Sequence, residues 1–336
     1  MGMRVITLGT AGGPRWWTGP EQGRRAGIST AVEVDGAIYL VDCGLGAGRQ
    51  LMMAGLNLRS LHGVFLTHLH SDHVVDLPSI VLFGSVTLPG LGRRIPLVGP
   101  GDRGILPPLS PRATTTPMPV SPECPTPGTR VLFERIVDAF ATDINDRVLN
   151  ALRPAPDTLF DPREIVVPDG VGYHPNDNPF PDMEPFLVFE DERVRVTAVL
   201  VAHAPMTPAF AFRFDTAHGS VTISGDTGPC ENVVRIAQGS DLLLHEAIDF
   251  DWVAAEYSHL DAEFAAASTD HHHRSHTSAQ EALGIARRAG VGTLALHHLV
   301  PGAKPTAEWL DQAGIDGIRF LVPDDLDVID VSALRG

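Results

Sequence analysis

Thr67-His68-Leu69-His70-Ser71-Asp72-His73 gathers three imidazoles and a carboxylate into six consecutive positions, 68 to 73, directly after the apolar run 63–66. Imidazole and carboxylate are good ligands for zinc and similar ions, and so dense a set seldom serves a core. A tight loop after a strand can aim His68 and His70 at one ion and Asp72 and His73 at a second.

Working outward, residues 5–8, 31–34, 38–41 and 63–66 are β-branched or apolar runs bounded by Gly, Asp or His, the pattern of short strands. Asp35-Gly36 is a hairpin turn signal between two of them. A short helix is expected over 49–54. Beyond the middle of the chain, strands are expected at 194–201, 209–214, 221–224 and 293–296, and helices at 232–238 and 278–289. Strands and helices mixed in this way predict an α/β protein, with sheets covered by helices.

The middle reads differently. Residues 99–190 hold most of the prolines, which prevent long regular elements. Within them Val131, Phe133, Ile136, Val137, Phe140, Ile144, Val148 and Leu152 recur at helical spacing, predicting one amphipathic helix over 130–152. The expected organisation is one domain, 1–336, with an inserted proline-rich cap or lid at about 100–190.

Composition narrows the partners. The formal charge is −16, from 41 acidic and 25 basic residues, and Lys304 is the only lysine. Phosphate binding needs dense Lys and Arg, so a nonspecific polyanion partner is disfavoured. Cys43, Cys124 and Cys230 are odd in number and far apart, which argues against a disulfide framework. No run of ~18 apolar residues and no basic-then-apolar leader is evident. A soluble cytoplasmic protein without a membrane partner is therefore expected.

The run at 67–73 resembles the signature of the metallo-β-lactamase superfamily, whose fold is a four-layer αβ/βα sandwich. The resemblance extends over most of the chain outside the middle segment. Asp42 matches the family's early aspartate, which supports the metal loop. His203, in Val201-Ala202-His203, matches the third metal motif, and Asp226, in Gly225-Asp226-Thr227-Gly228, the bridging carboxylate. His298, in Leu296-His297-His298-Leu299, matches the last ligand. The resemblance implies that His68, His70 and His203 hold one ion, Asp72, His73 and His298 a second, and that Asp226 is shared. With His70 and not a glutamate at the second motif position, the sequence looks less like the di-iron flavoprotein branch. Two divalent ions are implied, with zinc first and manganese or iron as alternatives.

Gly225-Asp226-Thr227-Gly228-Pro229-Cys230, Leu244-His245-Glu246-Ala247 and His276-Thr277-Ser278-Ala279 look like successive motifs of the tRNase Z and zinc phosphodiesterase branch. Leu8-Gly9-Thr10-Ala11-Gly12-Gly13 is similar to its opening; taken singly it is a turn, since it lacks the Gly-Lys-Thr/Ser ending of a phosphate loop. The implied chemistry is metal-assisted hydrolysis through a hydroxide shared by two ions, with Asp72 orienting or deprotonating it. His276 is expected as proton donor or oxyanion partner, with Glu246 or His245 orienting it. His271-His272-His273 reads as a solvated loop.

The tRNA-processing enzymes of this branch carry a long basic arm between the third-motif histidine and the bridging aspartate. Here His203 and Asp226 are only 23 positions apart. The middle segment is acidic instead, as in Asp143-Ile144-Asn145-Asp146 and Phe189-Glu190-Asp191-Glu192. The leading expectation is thus a small ester substrate: a phosphodiester, sulfate ester, lactone or other carboxylic ester. A tRNA 3′-end endoribonuclease is the alternative, with tRNA itself disfavoured, and a mono-iron redox enzyme of the same fold ranks third. Phe133, Phe140, Phe180, Phe186, Trp16 and Trp17 are candidate pocket walls. Arg15, Arg24 and Arg25 are candidate anion contacts. Residues 74–78 and 80–82 are a candidate homodimer face, with core packing as the competing role.

Overall fold

The computed structural model describes residues 2–15, 25–110, 112–312 and 317–334. Side chains alternate across a strand, and here both sides are apolar. In β1 (Met3–Gly9), Met3 and Val5 join one buried cluster, while Ile6 and Leu8 join another. In β2 (Ser29–Val34) and β3 (Ala37–Val41), Val32, Val34, Tyr39 and Val41 face inward; Ala31, Ile38 and Leu40 face outward. A sheet apolar on both faces must be covered on both, by helices outside and a second sheet inside.

Among the described residues each sheet has seven strands. The first runs β14 (Val328–Asp330), β1, β2, β3, β4 (Leu61–Phe65), β5 (Ile95–Pro100), β6 (Phe160–Ile165). The second runs β13 (Arg319–Leu321), β12 (Thr293–Val300), β11 (Leu242–Ile248), β10 (Gly219–Ile223), β9 (Phe210–Thr216), β8 (Arg195–Leu200), β7 (Phe186–Glu190). Pairing is parallel from β3 to β6 and from β10 to β13.

Aromatic rings fill the space between the sheets. Phe65 meets Phe214 edge-on with centroids 5.2 Å apart, and Phe212 at 5.8 Å. Outside the first sheet, helices Ala47–Met53 and Leu77–Thr87 bury Leu51, Leu77, Ile80 and Val81. Outside the second, helix Ala279–Ala289 buries Ala282, Leu283 and Ala286; Ser278 and Glu281 close its first turn as a capping box. This is the four-layer αβ/βα sandwich implied by the resemblance.

The middle segment departs from the simplest expectation. Residues 130–152 form two helices, Thr129–Ala139 and Ala141–Ala151, broken at Phe140 (φ −108°, ψ 18°). No Gly or Pro marks the break, and one residue leaving helical dihedrals does not interrupt the apolar period. The interval 100–190 also supplies an edge strand to each sheet, β6 and β7. Of the candidate dimer face, Leu77, Ile80, Val81 and Leu82 are buried, whereas Val75 is exposed.

Candidate metal centre

The fold brings the ends of several strands to one rim. β4 runs into Thr67, β8 leads to His203, β10 to Asp226, and β12 carries His298. Parallel strands that end together place loop side chains in one crevice, the usual ligand position in α/β sheets.

His70 Nδ1 lies 3.1 Å from His68 Nε2 and 3.0 Å from His203 Nε2. Asp226 Oδ2 stands 3.9 Å from the same His68 nitrogen and 4.0 Å from that of His203. Its other oxygen, Oδ1, is 3.3 Å from both His73 Nε2 and His298 Nε2. Asp72 Oδ2 is 3.3 Å from that His298 nitrogen and 3.7 Å from His73 Nε2. His68, His70, His203 and Asp226 thus form one group able to hold an ion, and Asp72, His73, Asp226 and His298 a second.

The donor atoms fit divalent metal. His73 Nε2 and Asp226 Oδ1 are buried and have no hydrogen-bond partner, a costly state for polar atoms unless a cation satisfies them. Burial pushes His68 and His203 well below the ordinary histidine range, so both rings are neutral, the form that binds metal. Burial alone would raise the Asp226 carboxyl, but the imidazoles of His298 and His73 hold it well below the usual carboxylate range.

Surrounding groups fix the ring orientations. His203 Nδ1 donates to the Ser275 carbonyl at 3.0 Å, which leaves Nε2 to face the centre. His73 Nδ1 is 2.8 Å from Asp42 Oδ2, which also accepts the Thr67 hydroxyl at 2.8 Å. The Gly13 N–H donates to Asp72 Oδ2 at 3.0 Å. A Cβ on Gly12 would come within 2.4 Å of the His298 ring, so only glycine lets the chain pass there.

At the edge of the centre, His276 Nδ1 is 3.0 Å from Glu246 Oε1 and 4.0 Å from Asp226 Oδ2. Burial works against a proton on His276, but the Glu246 carboxylate outweighs it and raises the imidazole to about 9. The Thr227 N–H holds Glu246 Oε1 at 2.9 Å.

A family model described as the metallo-beta-lactamase superfamily matches residues 23–89. A protein named ribonuclease Z from Mycobacterium sp. (strain KMS) is 30% identical over 313 residues, covering 92% of this chain and 91% of its own. A second, from Mycobacterium bovis (strain BCG / Pasteur 1173P2), is 28% identical over 315 residues, covering 93% and 94%. The chain belongs to the ribonuclease Z branch of the metallo-β-lactamase superfamily. Among solved structures, human tRNase Z short form shares the fold with a TM-score of 0.60 at 19% identity, over 98% of this chain and 99% of that one. The metallo-beta-lactamase fold protein YhfI from Bacillus subtilis does so with a TM-score of 0.57 at 17% identity, over 97% and 98%. As a family member the protein is a metal-dependent hydrolase, and its His and Asp clusters suit divalent metal.

Not every residue singled out in the sequence reaches the centre. Strand alternation turns His245 to the face opposite Glu246; there it is fully buried, and its Nδ1 is 2.8 Å from the Glu246 backbone oxygen. His245 therefore does not orient His276, and Glu246 does. Arg25 is engaged within the protein, buried against Asp324 at 2.7 Å and the Pro323 carbonyl. Arg15 is bound to Glu256 at 2.6 Å and lies over the Trp252 ring. Phe133 joins the core, Phe186 packs against it, and Phe140 and Phe180 are exposed. Trp16, Trp17 and Arg24 lie outside the described residues.

Other contributors were missed. Residues 271–273 are part of helix Ala262–Ser275, not a loop, and His271 and His272 have ring centroids 6.5 and 5.7 Å from His276. Both stand about one turn before His276, which ends the same helix, so helical winding brings their rings beside it; a run of histidines does not by itself show that it is wound into a helix. The Ser275 carbonyl and the Gly12–Gly13 backbone were equally invisible, since main-chain groups leave no compositional trace.

Proposed function

We propose that this protein is a metal-dependent endoribonuclease that processes tRNA 3′ ends. The observation that carries the reading is the match to relatives named ribonuclease Z over more than nine-tenths of both chains. It overturns the expectation of a small ester substrate with tRNA disfavoured. The acidic segment on which that expectation leaned is partly remote from the site: Asp191 sits at the β7–β8 turn, at the end of the sheet away from the metal loop, and accepts the Tyr39 hydroxyl at 2.7 Å. Asp143 pairs with Arg147 on its own helix. The short connection between His203 and Asp226 is largely the β9–β10 hairpin, so no arm is present there. That bears on how an RNA is gripped, not on which bond is cut.

In this reading His68, His70 and His203 hold one divalent ion and Asp72, His73 and His298 the other, with Asp226 between them; zinc suits the histidine-rich donor set. Such ions supply a water of lowered pKa and neutralise charge on the attacked phosphate. The Gly13 N–H holds Asp72 Oδ2 at the second cluster, where the carboxylate would orient the metal-activated water. Glu246 engages His276 Nδ1 and so fixes the ring at the edge of the centre, where its other nitrogen, Nε2, would carry the proton for the departing oxygen. One domain carries this machinery, parts of 100–190 walling the site. A cytoplasmic location accords with this activity; no helix among the described residues is long and apolar enough to cross a membrane.

The test incubates zinc-reconstituted protein with a precursor tRNA and, in parallel, with bis-p-nitrophenyl phosphate, an aryl sulfate and a lactone. Endonucleolytic release of the 3′ trailer is the expected result. Turnover of small esters with the precursor left intact would overturn the reading.

A further inference from the structure

Beside the first metal cluster lies a cavity of about 310 Å³ that nothing described so far employs. His70 forms part of its wall, with Leu69 on the same loop and Met206 from the segment after His203. Six prolines complete most of the lining, contributed by the proline-rich segment and by the segment 205–208. Among the described residues that line it there is no carboxylate, although the chain as a whole is strongly acidic.

Its one charged wall is Arg103. The guanidinium donates to the carbonyls of Pro205 (3.3 Å), Pro175 (3.1 Å) and Ile105, and to Asn176 Oδ1 (2.6 Å). Its donors are therefore committed to the protein, and a planar cation is held rigid at the pocket. Such a plane recognises a flat π-system by stacking, whereas it has little left to offer a phosphate.

We propose that this pocket receives one nucleobase of the RNA strand, a nucleotide flanking the scissile phosphate. The inference rests on the ribonuclease reading and adds a specificity element to it. The shared His70 wall puts an occupant next to the metal centre, and the apolar, carboxylate-free lining suits a base better than the sugar-phosphate chain. Stacking tolerates any base, so the pocket measures the presence of a base more than its identity. The proline-rich segment then has a role in the reaction: it builds one side of a base receptor, and Arg103 ties that side to residues 175–176 and 205.

The experiment uses zinc-loaded full-length protein and precursor tRNAs in which one nucleotide at a time, on either side of the cleavage site, is made abasic. With the wild type, one abasic position is expected to raise KM by roughly 5- to 100-fold, the range of a lost stacking contact. Met206→Trp and Thr126→Trp, which add bulk to the cavity from two separate segments, should raise KM for the intact precursor by a similar factor and abolish the further cost of the abasic position. Zinc content and melting temperature of each variant establish that it is folded. Wild-type cleavage that is indifferent to every abasic position, or filled variants that keep the full abasic penalty, would overturn the pocket alone. Failure of the wild type to cut any precursor would overturn the ribonuclease reading and the pocket with it.

Discussion

Asp42 Oδ2 lies 2.8 Å from His73 Nδ1, so a residue distant in sequence sets the direction in which His73 presents its other nitrogen to the second cluster. Asp42 has φ +59°, a left-handed conformation that Asn and Asp adopt more readily than Ala. Asp42→Asn should keep the fold but lower zinc affinity by roughly 10- to 100-fold, the usual effect of losing such a partner. Asp42→Ala should add a backbone cost of about 1–2 kcal/mol. Zinc titration against a competing chelator, with melting curves, separates the two effects.

Gly12 is the counterpart on the other side of that cluster. Gly12→Ala drives a Cβ into the His298 ring and should displace that imidazole while leaving the sandwich folded. We expect zinc retention and cleavage to fall together, with the far-ultraviolet circular dichroism unchanged.

The Glu246–His276 pair predicts a different split. Glu246→Gln and His276→Ala should each lower kcat by about 10²- to 10⁴-fold, the range for lost acid–base assistance, with zinc content intact. Zinc loss in Glu246→Gln would assign that carboxylate to the metal site instead.

Removing metal leaves His73 Nε2 and Asp226 Oδ1 buried and unpaired. Exhaustive chelation should therefore lower Tm, and zinc at a hundred times its Kd should restore about 2.7 kcal/mol by mass action. An unchanged Tm would mean that these clusters do not hold the ion.

The only lysine is structural. Lys304 Nζ lies 2.5 Å from Asp249 Oδ2, and Asp249 also caps helix Phe250–Tyr257 by accepting the Asp251 and Trp252 N–H groups. Burial would raise this carboxyl, but the Lys304 bond and the backbone donors lower it below the ordinary range. A depressed carboxylate contributes stability above its unfolded value of about 3.9 and loses it as pH falls through the folded value. Lys304→Met should therefore melt below the wild type at pH 7, with the gap closing towards pH 3.

Much of this protein was legible in its residues. Strands 5–8, 31–34 and 38–41 and the hairpin at Asp35-Gly36 lie within β1 to β3, because apolar alternation and turn chemistry are local. The residues matched to the metal motifs converge into two clusters, because each lies at or just past the end of a strand and those ends meet at one rim. The break at Phe140 left no local signature. Nor did the adjacent positions 245 and 246 reveal which would face the centre, because period 2 sends them to opposite sides but does not name the side.

The sequence by itself determined the donor set, since residue type and order at 68–73, 203, 226 and 298 decide what metal chemistry is available. Only the tertiary structure decided which partners aim those donors, which histidine of the C-terminal half is excluded, and where a base-sized cavity opens beside His70. The physical reason is range. Ligand identity is a property of single side chains, whereas orientation and shape arise where segments remote in sequence meet across the rim of two sheets.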